Sequence, residues 1–181
     1  MSHKFYSICL VQILNDQHTY TYQFDKVTDR IAIPVEIINP CNLLSIPTLA
    51  LIDTGATCCG VTNRIANELH LESAFEEDIV TSLKKKKDVP VYFVKMLIDN
   101  KQISIKSVAV ECEEPDINNE IGAVIGMNFL SKCDFNVLNS NGKTTFTLKI
   151  FNDKEKNNES SHTLTIFQKL KKCFFKIFFR K

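Results

Sequence analysis

One aspartate stands where its type and position need an explanation. Leu49-Ala50-Leu51-Ile52 is an uninterrupted apolar run that leads straight into Asp53-Thr54-Gly55. Such a run, bounded by a turn signal, reads as a buried strand ending in a sharp Thr-Gly turn. A carboxylate at the end of that strand loses much of its hydration. This is costly unless it finds a hydrogen-bond donor, a metal ion, or a second carboxylate with which to share a proton. The third arrangement is chemically productive, because one carboxylate can take a proton from water while the other gives one up. The plainer alternative is a strand-ending turn, where Asp and Gly are common for conformational reasons alone.

A second segment supports the productive reading. Ala123-Val124-Ile125-Gly126 is apolar up to its glycine, and Met127-Asn128-Phe129-Leu130 reads as the short helix that follows. Asp53-Thr54-Gly55-Ala56-Thr57 after an apolar strand, with this later segment in that order, resembles the retropepsins, the single-domain aspartic proteases of the retroviral type. The resemblance spans about residues 30 to 150. It implies an all-β, single-domain acid protease fold with one or two short helices. It also implies an aspartic endopeptidase that hydrolyses peptide bonds as a homodimer, each subunit giving one Asp53 to a catalytic dyad that activates water. The substrate would be a peptide or protein, with no cofactor and no metal. Thr54 would brace the two loops across the interface and Gly55 would allow their close approach. Ala56 and Thr57 would support the carboxylate and touch substrate. Thr81, Ser82 and Leu83 of the flap, with Val124, Ile125 and Gly126, would border the cleft. One departure stands out: residues 78–98, where the family carries its flap, hold four lysines, Lys84 to Lys87, and no glycine. That keeps open a second reading, a catalytically silent dimeric peptide-binding module of the same fold.

At 181 residues the chain has room for one domain and an appendage. It cannot hold two lobes, and it carries one Asp-Thr-Gly, so a symmetric dyad requires two copies of the chain. The 22 basic and 21 acidic residues nearly cancel, and no global field points to nucleic acid. Seven cysteines without metal-type spacing fit a reducing compartment better than a disulfide framework, most of them as small apolar core residues. The start of the chain lacks the long apolar core of a secretory signal, and the expectation is a cytoplasmic protein.

The elements that must position Asp53 follow from the surrounding pattern. Residues 1–28 read as an N-terminal β extension, with strands at 5–14 and 18–24 placed as a hairpin about Asn15-Asp16-Gln17. The main domain is expected over 29–151. Its strand at 30–38 carries Pro34, which places it at an edge or a strand start. A short amphipathic helix is expected over 61–71, capped by Thr62 and ended at His70. The flap lysines read either as a solvated hairpin tip or as a contact for an acidic substrate. Residues 101–110 read in outline as a strand pair, and the acids from Glu111 to Glu120 match no calcium loop. Asn139-Ser140-Asn141-Gly142 marks a closing hairpin. Residues 152–162 have the composition of a linker. The tail at 163–181 places Ile166, Leu170, Phe174 and Ile177 at helical spacing among lysines. A basic amphipathic helix of this kind lies on an anionic membrane surface, docks on a partner, or packs back onto its own domain. In the first case Cys173 is a lipidation candidate.

Overall fold

The computed structural model describes residues 9–13, 17–80, 85–99, 103–113 and 118–151. The expectations for the flap tip (Thr81, Ser82, Leu83), the linker and the tail (152–181) lie outside these residues. Eight of the described strands form one sheet: β1 (Cys9–Ile13), β3 (Ala32–Ile38), β4 (Ser45–Ile52), β5 (Cys59–Thr62), β6 (Phe75–Val80), β7 (Lys85–Ile98), β8 (Ile103–Cys112) and β9 (Ile121–Ile125). They lie in the order β1-β8-β5-β9-β4-β3-β7-β6, and β7 pairs with β8 as well. That extra pairing closes the ring β8-β5-β9-β4-β3-β7 on itself, which leaves the ring no open edge. A second sheet, antiparallel throughout, runs β10 (Cys133–Ser140), β11 (Lys143–Phe151), β2 (Gln17–Phe24). With the short helices α1 (Asn63–Glu68) and α2 (Met127–Leu130), the chain is all-β in the sense the sequence implies.

Alternation sets which faces are buried. In β3, Ile33, Val35 and Ile37 point inward and are at most 5% exposed, the period-2 signature of a strand with one covered face. Pro34 lies outside the stretch Glu36 to Ile38 that pairs with β7, so its missing N–H costs no bond there. Phe146, Leu148 and Ile150 from β11 and Tyr20 from β2 join the same apolar cluster as Ile33, Met96, Ile125 and Phe129. The two sheets thus share one core. His18 and Asp99 add a polar tie between them, with Nε2 and Oδ2 2.5 Å apart.

Local chemistry fixes the ends of several elements. The Thr62 hydroxyl accepts from the Ile65 N–H, the N-cap bond the sequence announces. At the other end of α1, His70 takes a left-handed conformation with φ 51°. The His70 N–H reaches the Asn67 carbonyl and the Leu71 N–H reaches the Ala66 carbonyl, the paired bonds of a Schellman ending. Asn141 and Gly142 both have positive φ, 51° and 74°. They form the two-residue connection of β10 and β11, which matches the twist of the flanking strands.

Several expectations are corrected. Residues 9–13 and 17–24 do not form a hairpin: β1 pairs with β8 and β2 with β11, because each strand has a long-range partner already in place. Residues 103–112 are one strand, not a pair. Lys85 to Lys87 lie inside β7 rather than at a turn, and Lys86 pairs with Glu113 at 2.7 Å. The apolar run of β4 is only partly enclosed. Ala50 is fully buried while Leu49, Leu51 and Ile52 are half-buried. Of Cys41, Cys58, Cys59, Cys112 and Cys133, only Cys59 is buried.

Tyr20 gives this packing a pH signature. Burial, and after it the nearby Tyr22 and Asp99, push its phenol up to about 12. The folded chain therefore holds Tyr20 neutral at pH values where the unfolded chain ionises it, from about 10 upward. That contribution to stability is whole below about pH 10 and is lost as the pH climbs toward 12. Thermal melts across this range should show a shallower alkaline loss for Tyr20→Phe than for wild type. Equal slopes would mean that Tyr20 ionises as freely when folded as when unfolded.

Candidate active site

Asp53 is delivered by the parallel pairing of two strands far apart in sequence. β4 and β9 run side by side with Ile52 opposite Ile125, so both chains leave the sheet at the same end. At that point the Asp53 N–H donates to the Ile125 carbonyl at 3.1 Å, and the Ile52 N–H donates to Ile31 on the other flank. The last strand residue before the acid is thus held from both sides. The chain then turns sharply, with the Ala56 N–H donating back to the Asp53 carbonyl at 3.3 Å. The Gly55 N–H donates to Asp53 Oδ1 at 2.8 Å. That bond fixes one of the two carboxyl oxygens in the turn. Asp53 is half-buried, with Thr54, Gly55 and Thr57 exposed around it.

The turn is gripped from below by the segment that follows β9. The Met127 N–H donates to the Ala56 carbonyl at 2.8 Å and the Asn128 N–H to the Thr57 carbonyl at 2.9 Å. The Asn128 side chain completes the grip: its Oδ1 accepts from the Cys59 N–H at 2.9 Å and from the Cys59 thiol at 3.0 Å. Such close approach of two backbones requires glycine. A Cβ on Gly126 would lie 2.3 Å from the Cys58 carbonyl oxygen and 2.8 Å from that of Ala56. Phe129 and Leu130 of α2, both fully buried, anchor the grip in the core.

Outside the flap tip, each sequence-expected site residue has a position. Asp53, Thr54, Gly55, Ala56 and Thr57 form one turn. Val124 and Ile125 are buried in β9 and Gly126 is buried beneath the turn, so in this chain they support the loop from below. Asn128 is the site residue that sequence reasoning passed over, having been read only as the start of a helix. Its partner Cys59 lies 69 residues away, and no local pattern links the two. Cys58, also on the loop, has its thiol pushed up by burial, then by Glu77 and Cys59. That keeps it protonated and unsuited to act as a nucleophile. Among the described residues no three of His, Cys, Asp and Glu gather to hold a metal ion. A cavity of about 490 Å³ between Asn63, Lys86 to Pro90 and Glu111 to Glu113 draws no lining from the Asp53 turn.

No family model and no curated protein matches the chain. Among solved structures the chain is similar in fold to a retropepsin-like aspartic protease from Rickettsia conorii, at 12% identity and a TM-score of 0.48, over 74% of this chain and 95% of that one. It is also similar to the EIAV protease in complex with the inhibitor HBY-793, at 17% identity and a TM-score of 0.41, over 57% of this chain and 86% of that one.

Two glycines offer a contrast that checks the grip. Gly142 sits at a positive φ with open space around it, so Gly142→Ala should cost roughly 1 kcal/mol of backbone strain. Gly126→Ala drives a methyl into two carbonyls and should cost about 3 kcal/mol or more. Denaturant unfolding of the two variants should rank them in that order, and equal costs would show that the turn and the β9 segment are not in contact.

Proposed function

We propose that this chain is an aspartic endopeptidase of the retropepsin type that works as a homodimer. The observation that carries the reading is the Asp53 carboxylate, half-buried and fixed by the Gly55 N–H at the tip of a turn gripped from beneath. A turn that served only to end a strand would have no use for that support. One chain supplies one such carboxylate, and water activation by paired acids takes two. In the reading, two Asp53 side chains meet near a two-fold axis and share one proton. The ionised member takes a proton from a bound water, whose oxygen adds to the peptide carbonyl carbon. The protonated member gives its proton to the carbonyl oxygen. The tetrahedral diol then collapses: a proton passes to the amide nitrogen, the C–N bond breaks, and a carboxylic acid and an amine leave.

The hairpin of β6 and β7 is the natural cover for this site. Glu77 on β6 helps raise the Cys58 thiol of the loop, which supports reading β6 as part of that cover. One feature favours the silent peptide-binding module as a second reading: residues 75–98 contain no glycine, so the cover lacks the easy bending points that lids often use.

A peptide-library digest separates the two. Positioned acid–base groups contribute about 10²–10⁴-fold to rate, so Asp53→Asn should lower turnover by about a thousandfold while leaving circular dichroism and melting temperature as in wild type. Cleavage unchanged by that substitution would remove the assignment. Peptides that bind both proteins and are cut by neither would establish the silent module instead.

A further inference from the structure

The β6–β7 hairpin contains no glycine, but it does contain a bend. From Val91 to Ile98, β7 pairs residue by residue with β8, and the last pair on that side is Val91 with Val110. From Pro90 back to Lys85 its described partner is β6. The end of β8 stays on the ring, with Glu111 and Cys112 opposite Val61 and Thr62 of β5. The two strands therefore fork at Pro90, which has no N–H to hold the branch to a neighbour. Just beyond it Asp88 takes a left-handed conformation, φ 52°, far from the extended φ of a strand. Across the hairpin the register of β6 shifts between Glu77 and Ile79, and the Asp88 N–H meets Asp78 Oδ1 at a long 3.4 Å. Such a bulge bends a strand pair where it falls.

The fork encloses space. The cavity of about 490 Å³ lies between Lys86 to Pro90 on one branch and Glu111 to Glu113 on the other. Away from the branch point, Lys86 Nζ reaches across to Glu113 Oε1 at 2.7 Å, with the two side chains 26% and 67% exposed. An ion pair this open to water is weak and is screened by salt. It can hold two branches together without locking them.

We propose that the β6–β7 hairpin beyond Pro90 swings as an arm about Asp88, and that the Lys86–Glu113 pair is the latch that keeps the arm down over the cavity. Hinges are residues that absorb a change in backbone angle, and they need not be glycine. Opening the latch uncovers Cys112, which is half-buried on the cavity wall. What the swing means for peptides rests on the reading of this hairpin as the cover of the Asp53 site. The swing itself does not.

Alkylation of Cys112 by N-ethylmaleimide, followed on the full chain by mass spectrometry, reads the motion without any peptide. Cys41, already exposed, is the internal reference. Lys86→Met and Glu113→Gln should each raise the Cys112 rate roughly twofold to fivefold relative to Cys41, the range that an exposed ion pair supports. The two variants separate a latch from a charge effect on the thiol. Removing a nearby cation disfavours the reactive thiolate and removing a nearby anion favours it, so electrostatics alone moves the two rates in opposite directions. Opposite shifts, or no shift in either variant, overturn the latch. The exchange Lys86→Glu with Glu113→Lys should bring the rate back to that of wild type, and a rate that stays high shows that the two side chains do not act as a pair. Asp88→Gly keeps the pair and frees the bend, so it should also speed labelling; an unchanged rate removes the hinge. Wild type alone covers the case in which a variant fails to fold, because added salt should speed Cys112 labelling relative to Cys41, and a flat salt profile sinks the latch. Labelling that behaves as expected in a chain that cuts no peptide upholds the arm and removes the catalytic reading. Cleavage by a chain whose labelling ignores all these changes does the reverse.

Discussion

The grip of residues 126–128 on the Asp53 turn is the constraint on which the rest of the structure depends. Surface turns are ordinarily mobile, and a catalytic carboxylate has to be held to a fraction of an ångström. Here backbone N–H groups of Met127 and Asn128 bind the carbonyls of Ala56 and Thr57, and the Asn128 side chain takes the Cys59 N–H and thiol. None of these bonds uses the Asp53 side chain, so the support leaves the acid available for chemistry. Gly126 is what allows the two backbones to meet.

The sheet explains why the grip is rigid. β4 and β9 pair in parallel and leave the sheet at the same end, so the turn and its support share one origin. β5 then carries the chain away from the turn, between β8 and β9, and the contact of β7 with β8 closes the ring. A closed ring has no loose strand by which the site could open. The second sheet is the opposite case: among the described residues β11 is enclosed between β10 and β2, and β10 is the edge strand.

What the sequence disclosed was local. The strand leading to Asp53, the Thr62 cap, the Asn141-Gly142 connection and the short helix after Gly126 each depend on neighbours within a few residues. Each is seen where the pattern places it. What it concealed was pairing. Nothing within residues 5–24 says that β1 joins β8 while β2 joins β11, since the chemistry of Asn15-Asp16-Gln17 suits a tight hairpin as well as a crossing between sheets. β8 was hidden because Lys101 to Val110 interrupts its apolar residues with polar ones, a pattern shared by one long strand and two short ones. The role of Asn128 was hidden for a related reason. An asparagine after glycine looks like any helix start until a backbone 69 residues earlier folds against it.

The central claim is that one Asp53 from each of two chains makes a single active centre. Mixing wild type with Asp53→Asn at fixed total concentration, after the subunits have exchanged, reads that stoichiometry directly. If only the dimer with two intact acids cuts peptide, activity falls as the square of the wild-type fraction, to about a quarter at equal mixing. Activity that falls in simple proportion to the wild-type fraction would show that each chain works alone, and the two-chain account would be contradicted.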